Sequence, residues 1–518
     1  VADDINASGS GGELSQAYKF DTVAAYKAST IVFPVGKIIN TLEYFTGNKG
    51  GASYLVIAGV GTDNDIDILK SDQVSQSIEL ITTVKSGICL SQLGVTATQT
   101  DNHTRVERAS AMAVALGTFI NPDMTGNCIF VNGVPTIAAP IACDRPIRKA
   151  VFEQTDDALS VLIFAAGMDF FHCHNFQCTY TTQLNAHLEP AICLLSNNHN
   201  CKFSNVHTEG GGYGIYSKDA GFFQTYEMCR FENTSIAQLR IDGPGTTINI
   251  NNCAGYNNKT ALATACLWFI GVGEVNINTY ETGQGNVSQL ILSDSVFNLE
   301  ITALHWENTE VWGAALNLSN TSANIRGIYM QNVKLPSGYT IPLVANFKST
   351  VQIANITRRD HTPNGTLSLM SAAQADVMNN SDTVISLSGS IDLDNFDMTG
   401  SYDDVNGVNQ AITSQQLMRI DAPKTKVFSV SNATPNTFIN FPFNGSKPQF
   451  IEIELGGTSQ GVTNIIDGSN AFITALSGGG ETSAAQFIYR WVDAAGSLGT
   501  ANKDIQIKCT YNKGWYAL

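Results

Sequence analysis

The chain has 518 residues, 43% of them hydrophobic and only 14% charged, with a formal net charge of −16. Phosphate binding needs clustered Lys and Arg, so this balance excludes nucleic acid and anionic membrane surfaces as partners. No stretch approaches the run of about 18 apolar residues that a helical membrane span requires.

Low charge beside 45 Gly and abundant Asn, Ser and Thr suits a β-rich protein with many turns. The 11 Cys are odd in number and lack CxxC pairs, which argues against a disulfide framework or a zinc module. At inward strand positions free Cys acts as a small apolar filler, and free thiols point to synthesis in a reducing cytoplasm.

In chain order, the sequence starts at Val1 with no signal-peptide pattern, and an N-terminal attachment piece is expected to be missing. Residues 1–84 read as a small head or neck region with short strands between Thr30 and Leu80 and Gly-rich turns such as Gly47-Asn48-Lys49-Gly50-Gly51. Asp63-Asn64-Asp65-Ile66-Asp67 starts like a calcium loop. Its sixth position is Ile68 instead of Gly and its twelfth Val74 instead of Glu, so an acidic turn is expected. Residues 101–116 form a capping helix, with polar Asp101-Asn102-His103-Thr104 leading into Arg105–Leu116.

Residues 85–360 read as a right-handed parallel β-helix, a single-stranded solenoid. From about residue 170 an apolar residue, two small or polar residues and a second apolar residue recur. The first position is Cys173, Phe203, Thr225, Ile250, Ile277, Ile301, Ile325 and Ile353; the second is Phe176, Val206, Met228, Cys253, Tyr280, Leu304, Ile328 and Ile356. After a first interval of 30, the spacings are 22, 25, 27, 24, 24 and 28. Nine residues before the first position stand Leu194, Tyr216, Ile241, Trp268, Leu292, Leu316 and Val344, all apolar and expected to face inward. Period-2 alternation within a coil and register between coils is what a stacked parallel sheet requires, and the 3.6 period of a helical solenoid is absent. Asn175, Asn205, Asn252 and Asn355 precede the second apolar position, where Asn can adopt a left-handed corner and hydrogen-bond along a column.

The same register nominates outward residues. One past the corner it places Gln177, His207, Cys229, Ala254, Glu281, His305, Tyr329 and Thr357; two further on stand Glu209, Phe231, Tyr256, Gly283, Glu307, Gln331 and Arg359. Glycoside hydrolysis needs two carboxyl groups about 5–5.5 Å or 6.5–9.5 Å apart, and coils about 4.8 Å apart can supply either spacing. Glu281 and Glu307 are the first candidates for acid and base, with Glu310 as substitute. Around them His305-Trp306-Glu307-Asn308-Thr309-Glu310-Val311-Trp312 offers Trp306 and Trp312 as sugar platforms and His305 as a further contact.

A second cluster joins Glu209, Glu232 and Asp242, with Arg240 and Tyr213 of the loop Gly210-Gly211-Gly212-Tyr213 as substrate contacts. For either cluster the plain alternative is a set of solvated surface acids. His172-Cys173-His174 looks ligand-like, but an inward Cys173 leaves two outward His, and no metal or cofactor is expected.

Residues 361–422 read as a connecting β region, with a strand over Thr383–Leu387 and acids around Asp392–Asp404. In 423–518, Val427–Val430, Thr437–Phe443, Phe450–Leu455 and Ile505–Tyr511 read as strands of a small antiparallel β-sandwich, a candidate trimerisation or carbohydrate-binding domain.

Gln92-Leu93-Gly94-Val95, the capping helix, Ile129-Phe130-Val131-Asn132-Gly133 and Pro135-Thr136-Ile137-Ala138-Ala139-Pro140-Ile141 resemble the entry to a pectate-lyase-like β-helix. Asp21-Thr22-Val23-Ala24-Ala25-Tyr26 through Gly50-Gly51-Ala52, Tyr54-Leu55-Val56 and Gly59-Val60-Gly61-Thr62 is similar to the head of bacteriophage tailspikes and capsular polysaccharide depolymerases. The resemblance covers most of the chain through the order of its parts. It implies a homotrimeric virion protein, held on the phage tail or baseplate through the missing N-terminal part, that binds and cleaves bacterial capsule or O-antigen. Endoglycosidic hydrolysis by paired carboxylates is the leading reading. A polysaccharide lyase, with Arg326 or Tyr329, one coil beyond Glu307, as base, and a non-catalytic glycan-binding adhesin stand as alternatives.

Overall fold

The computed structural model describes residues 18–359 apart from 48–49, 83, 100, 125, 144–148, 183–186, 257–262 and 337–339; past 359 it describes the backbone of separate strands. The chain is all-β around a parallel β-solenoid of about 13 turns, and it divides into two compact units, Val1–Ser235 and Ile236–Leu518. No helix among the described residues is long and apolar enough to cross a membrane.

The first unit opens on a five-stranded sheet with strands in the order Tyr18–Thr22, Ile38–Glu43, Gly50–Val56, Ser77–Leu80 and Ile68–Lys70. The Asp63–Asp67 stretch is an acidic turn. Lys27 Nζ meets Asp63 at 2.7 Å and also Asp65, Arg108 meets Asp67 at 2.6 Å, and Asn64 Oδ1 accepts the N–H groups of Ile66, Asp67 and Ile68. The expected helix spans His103–Leu116 and ends on Gly117 at φ 62°, a left-handed C-cap that glycine adopts without strain.

Each solenoid coil has three strands and three corners. In the first unit Phe176–Tyr180, His207–Glu209 and Arg230–Glu232 stack in parallel on one face, beside His172–His174, Lys202–Ser204 and Gln224–Glu227 on another. Leu162–Phe164, Pro190–Leu194 and Tyr213–Ser217 make the third face. The second unit repeats the plan: Cys253–Tyr256, Tyr280–Gly283, Leu304–Glu307 and Ile328–Gln331 stack in register, and Ile250, Ile277, Ile301, Ile325 and Ile353 form one continuous buried column. Burying one such side chain is worth about 1.5–3 kcal/mol, so the column is a main source of cohesion between coils.

Five corners of the first kind take left-handed backbone, while those at Asn278-Thr279, Thr302-Ala303 and Arg326-Gly327 do not. Asn175 (φ 61°), Asn205 (φ 53°), Asn252 (φ 53°) and Asn355 (φ 59°) all sit there, and Asn205 Nδ2 donates to Asn175 Oδ1 at 2.7 Å. A second corner uses Asn233, Gln284, Asn308 and Asn332, and a third Asn197, Asp219, Ser295, Asn320 and Lys348, all with positive φ.

The solenoid departs from the expected register in two places. In the first unit Phe203 pairs with Tyr226, not Thr225, and the partner implied for Val206 is Cys229, not Met228, because His207 pairs with Arg230. The corner residue of that coil is Met228 itself, at φ 50° and 55% exposed. An apolar side chain at a corner imitates a core position, so a reading by polarity slips by one residue. Cys229 and Phe231 therefore point inward, and Arg230 and Glu232 outward. On the third face, Leu194 pairs with Ser217 while Tyr216 pairs with Cys193; Trp268 pairs with Arg240, and Leu292 with Trp268. Tyr216, Trp268 and Leu292 thus lie on the outer side, half-buried, since corner lengths differ between coils.

Nine of the ten described thiols are buried and Cys89 is half-exposed; Cys193, in register with Tyr216, is buried on the outer side. Burial pushes the Cys173 and Cys266 thiols up to about 12, which leaves them unreactive. Parallel pairing continues beyond the expected end of the β-helix: Thr350–Arg359 pairs with Val384–Asp392, and that strand with Met418–Asp421. Farther on, Phe428–Val430 pairs antiparallel with Lys503–Ile505, and Gln486–Asp493 lies antiparallel between Phe438–Pro442 and Gly461–Asp467. The strand expected over Phe450–Leu455 lies outside the described residues.

A left-handed position costs a non-Gly residue roughly 1–2 kcal/mol, and Asn less. Met228→Asn is therefore expected to raise the urea unfolding free energy by about 1 kcal/mol, and Asn205→Ala to lower it by about 1–2 kcal/mol. Equilibrium unfolding followed by tryptophan fluorescence checks both signs.

Candidate functional site

Outward alternation builds two carboxylate clusters, one in each unit. In the second unit Glu281 lies in register with His305, and Gly283 with Glu307. Side-chain oxygens of Glu281 and Glu307 and a ring nitrogen of His305 lie within 4.8 Å of one another. Tyr256 donates its hydroxyl to Glu281 Oε1 at 2.7 Å, His305 Nδ1 stands 4.0 Å from Glu281 Oε2, and Asn308 Nδ2 donates to Glu307 Oε1 at 3.2 Å. Tyr329, 47% exposed, follows His305 in register, and Gln331 follows Glu307.

Gly283 makes this arrangement possible. A Cβ there would stand 2.5 Å from Cε1 of Tyr256, so the missing side chain lets the Tyr256 ring lie across the strand and reach Glu281. Tyr256 was in the outward column of the sequence reading but was not singled out. The signal that would have found it is an aromatic directly before a Gly in that column, next to an acid.

Other expected members sit elsewhere. Trp306 points inward, is 0% exposed, and donates Nε1–H to the Thr309 carbonyl at 2.8 Å, so it cannot stack on a sugar. Alternation dictates this, because its neighbours His305 and Glu307 both face out. Glu310 lies past the corner at Asn308 and pairs with Asn286 on a different face; Trp312, two residues on, is 47% exposed. Arg326 is 3.7 Å from Glu300.

In the first unit the corrected register puts Glu232 beside Glu209 and Arg230 beside His207. His207, Glu209 and Glu232 bring one ligand atom each within 4.8 Å of the others. His207 Nε2 is 3.3 Å from Glu232 Oε2, Arg230 pairs with the other Glu232 oxygen, and Gln177 Nε2 donates to Glu209 Oε2 at 3.2 Å. His207, 3.3 Å away, against opposing desolvation and with help from Arg230, holds the Glu232 carboxyl below the usual range. Lys149 is lowered by burial, with the charge of Arg230 adding to the effect.

Asp242 is held by Arg240 at 2.7 Å, and the Arg240 guanidinium lies 4.1 Å over the Trp268 ring. These three form a set of their own in the second unit. Tyr213 is only 9% exposed, its ring tilted against Tyr216 at 5.0 Å, and so presents little surface to a sugar.

Both clusters have the donor types that can hold a divalent cation, though exposed acids of this kind are common without one.

No protein-family model matches the chain, and no curated protein does. Among solved structures, tailspike protein 2 from Escherichia coli O157:H7 bacteriophage CAB120 is similar over 95% of this chain and 74% of its own, at 11% identity and a TM-score of 0.53. The gp42 tailspike of Acinetobacter phage vb_AbaP_AS12 aligns over 97% of this chain and 93% of its own, at 10% identity and a TM-score of 0.46. Tailspike gp49 from Acinetobacter baumannii bacteriophage Fri1, a capsular polysaccharide depolymerase, aligns over 96% of both chains at 11% identity and a TM-score of 0.43. The first of these establishes a shared fold.

The Glu232 carboxyl titrates lower in the folded chain than its unfolded value of about 4.3, so its contribution is present above that pH and lost as pH falls through the folded value. His207→Gln is expected to lower stability at pH 6 and to converge on wild type in acid. Unfolding curves at stepped pH measure the gap, and a gap that stays constant into acid contradicts this assignment.

Proposed function

We propose that the chain is a tailspike-type depolymerase that binds a bacterial surface polysaccharide, capsule or O-antigen, and hydrolyses it at Glu281 and Glu307. The observation that carries this reading is the outward pair of carboxylates with oxygens within 4.8 Å, one coil apart on a rigid sheet. Carboxyl groups on neighbouring coils, about 4.8 Å apart in repeat, can take the separation of about 5–5.5 Å that a retaining mechanism uses.

The hydrogen-bond partners divide the roles. Glu281 accepts the Tyr256 hydroxyl and has His305 nearby, which orients it as the nucleophile. Glu307 has the neutral Asn308 amide as its partner and serves as the acid that protonates the leaving oxygen, then as the base for water. The Tyr256 ring over Gly283 and exposed Tyr329 supply apolar faces for sugar rings. The first-unit acids are the rival pair, but Glu232 is engaged by both His207 and Arg230, which suits binding more than proton transfer.

Assembly as a homotrimer and attachment to a phage tail belong to the same proposal, supported by the shared fold. A second reading, a lyase, is favoured by one observation: exposed Tyr329 stands beside His305 in register, a base and proton donor of the kind β-elimination from a uronic acid needs.

Glu281→Gln and Glu307→Gln are each expected to slow shortening of the purified host polysaccharide by about a hundredfold or more, measured as new reducing ends. Tyr256→Phe removes a hydrogen bond to a charged group and is expected to lower kcat by about tenfold with a smaller change in KM. Products absorbing in the ultraviolet would point to the lyase. Cleavage that survives both Gln variants would move the site, and binding without shortening would leave an adhesin.

A further inference from the structure

A separate face of the first unit carries side chains that the glycan reading does not use. There His172 lies in register with Lys202 and His174 with Ser204; in the next coil Lys202 faces Thr225 and Ser204 faces Glu227. Alternation sends Cys173, Phe203 and Tyr226 into the core and leaves His172, His174, Lys202, Ser204 and Glu227 outside.

His172 Nε2 lies 2.6 Å from Ser204 Oγ. A hydroxyl offers one proton and a neutral imidazole one lone pair, so with Nδ1 protonated the Ser204 O–H donates to Nε2. Desolvation holds His172 below the ordinary imidazole value, helped by the positive fields of His174 and Lys202 and opposed by Glu227. The ring is therefore neutral at neutral pH, with the Nε2 lone pair available to take a proton. Lys202 Nζ is anchored 2.6 Å from Glu227 Oε2, which keeps an ammonium on the strand that carries Ser204.

We propose that Ser204 and His172 form a nucleophile–base dyad that hydrolyses short-chain carboxylate esters of hydroxyl compounds, such as O-acyl groups on a sugar. Ser204 Oγ bonds to the acyl carbon as its proton passes to His172 Nε2. The oxyanion that forms is met by the Lys202 ammonium. Collapse breaks the carbon–oxygen bond to the alcohol, which leaves with the proton from His172. Water then attacks the acyl-serine, gives its proton to His172, and the acid departs as Ser204 Oγ recovers that proton. No oxidant, reductant or cofactor is needed for the balance.

The substrate class follows from the setting. The dyad stands on an open sheet face, which favours a small acyl group. Backbone N–H groups of a parallel ladder are committed to neighbouring coils, so one cation takes the place of a paired amide hole. That arrangement suits an ester, whose leaving group departs easily, over an amide. It does not depend on Glu281 or Glu307.

The test uses the full chain with p-nitrophenyl acetate, and a fluorophosphonate probe followed by peptide mapping. Wild type is expected to exceed an equal concentration of free imidazole, and the probe to label Ser204. Ser204→Ala and His172→Gln should each lower the rate at least about a hundredfold at an unchanged melting midpoint. A wild-type rate at the imidazole background, labelling elsewhere, or either variant at wild-type rate overturns the proposal.

Discussion

Everything in this protein depends on turning an extended chain through three sharp corners per coil without breaking the parallel ladder. Many of these corners take the left-handed conformation, which an L-residue resists and Asn resists least because its short amide can bond locally. The chain meets the demand with Asn at many of the left-handed corners and, at one corner, secures it further by the bond from Asn205 to Asn175. Once the corners are set, each coil must lie over the last in register, and every side chain joins a column about 4.8 Å in repeat. The columns then act as a ruler. They put isoleucine on isoleucine inside the second unit and carboxylate beside imidazole on its surface.

The same constraint explains what could be read in advance. Most corner and core positions of both units were legible, because Asn and aliphatic residues recur at fixed offsets, and so was the outward placement of Glu281, His305 and Glu307. Legibility failed where a side chain contradicted its position. Met228 occupies a corner, and being apolar it passed for core; Tyr216, Trp268 and Leu292 are apolar but lie outside, covering neighbouring coils with one side of the chain. Trp306 misled differently. Its neighbours advertised a groove, yet period 2 sends the residue between two outward ones into the core, where its N–H needs and finds the Thr309 carbonyl. Tyr256 was hidden because its role depends on what Gly283 lacks, and a missing Cβ has no signature in polarity.

The two carboxylate clusters look alike as lists of residue types and differ in what surrounds them. In the first unit a guanidinium and an imidazole converge on Glu232, while a neutral amide donates to Glu209. A carboxylate so engaged is stabilised in its charged form in every state, which lowers its value as a proton carrier and raises its value as a fixed charge. In the second unit Glu281 and Glu307 receive a phenol and an amide, both neutral, and His305 keeps a distance of 4.0 Å from the nearer oxygen. Neutral donors orient a carboxylate without committing its charge, and orientation with freedom to exchange a proton is what acid–base chemistry on a glycosidic bond needs.

That contrast also bears on how an acidic chain can engage a glycan. With a net charge of −16, the surface as a whole repels an anionic polymer, so recognition of one must be local. On one face of the first unit, His207 and Arg230 both meet Glu232, and together they form a polar surface. Under the proposed function, such a surface would meet hydroxyl-rich sugars with donors and acceptors already held in place, sparing the ordering entropy that free side chains lose on binding. The rigidity comes from the ladder beneath. A solenoid whose coils stack in register fixes the geometry of the polar columns above its sheets, and chemistry can be placed on it one coil at a time.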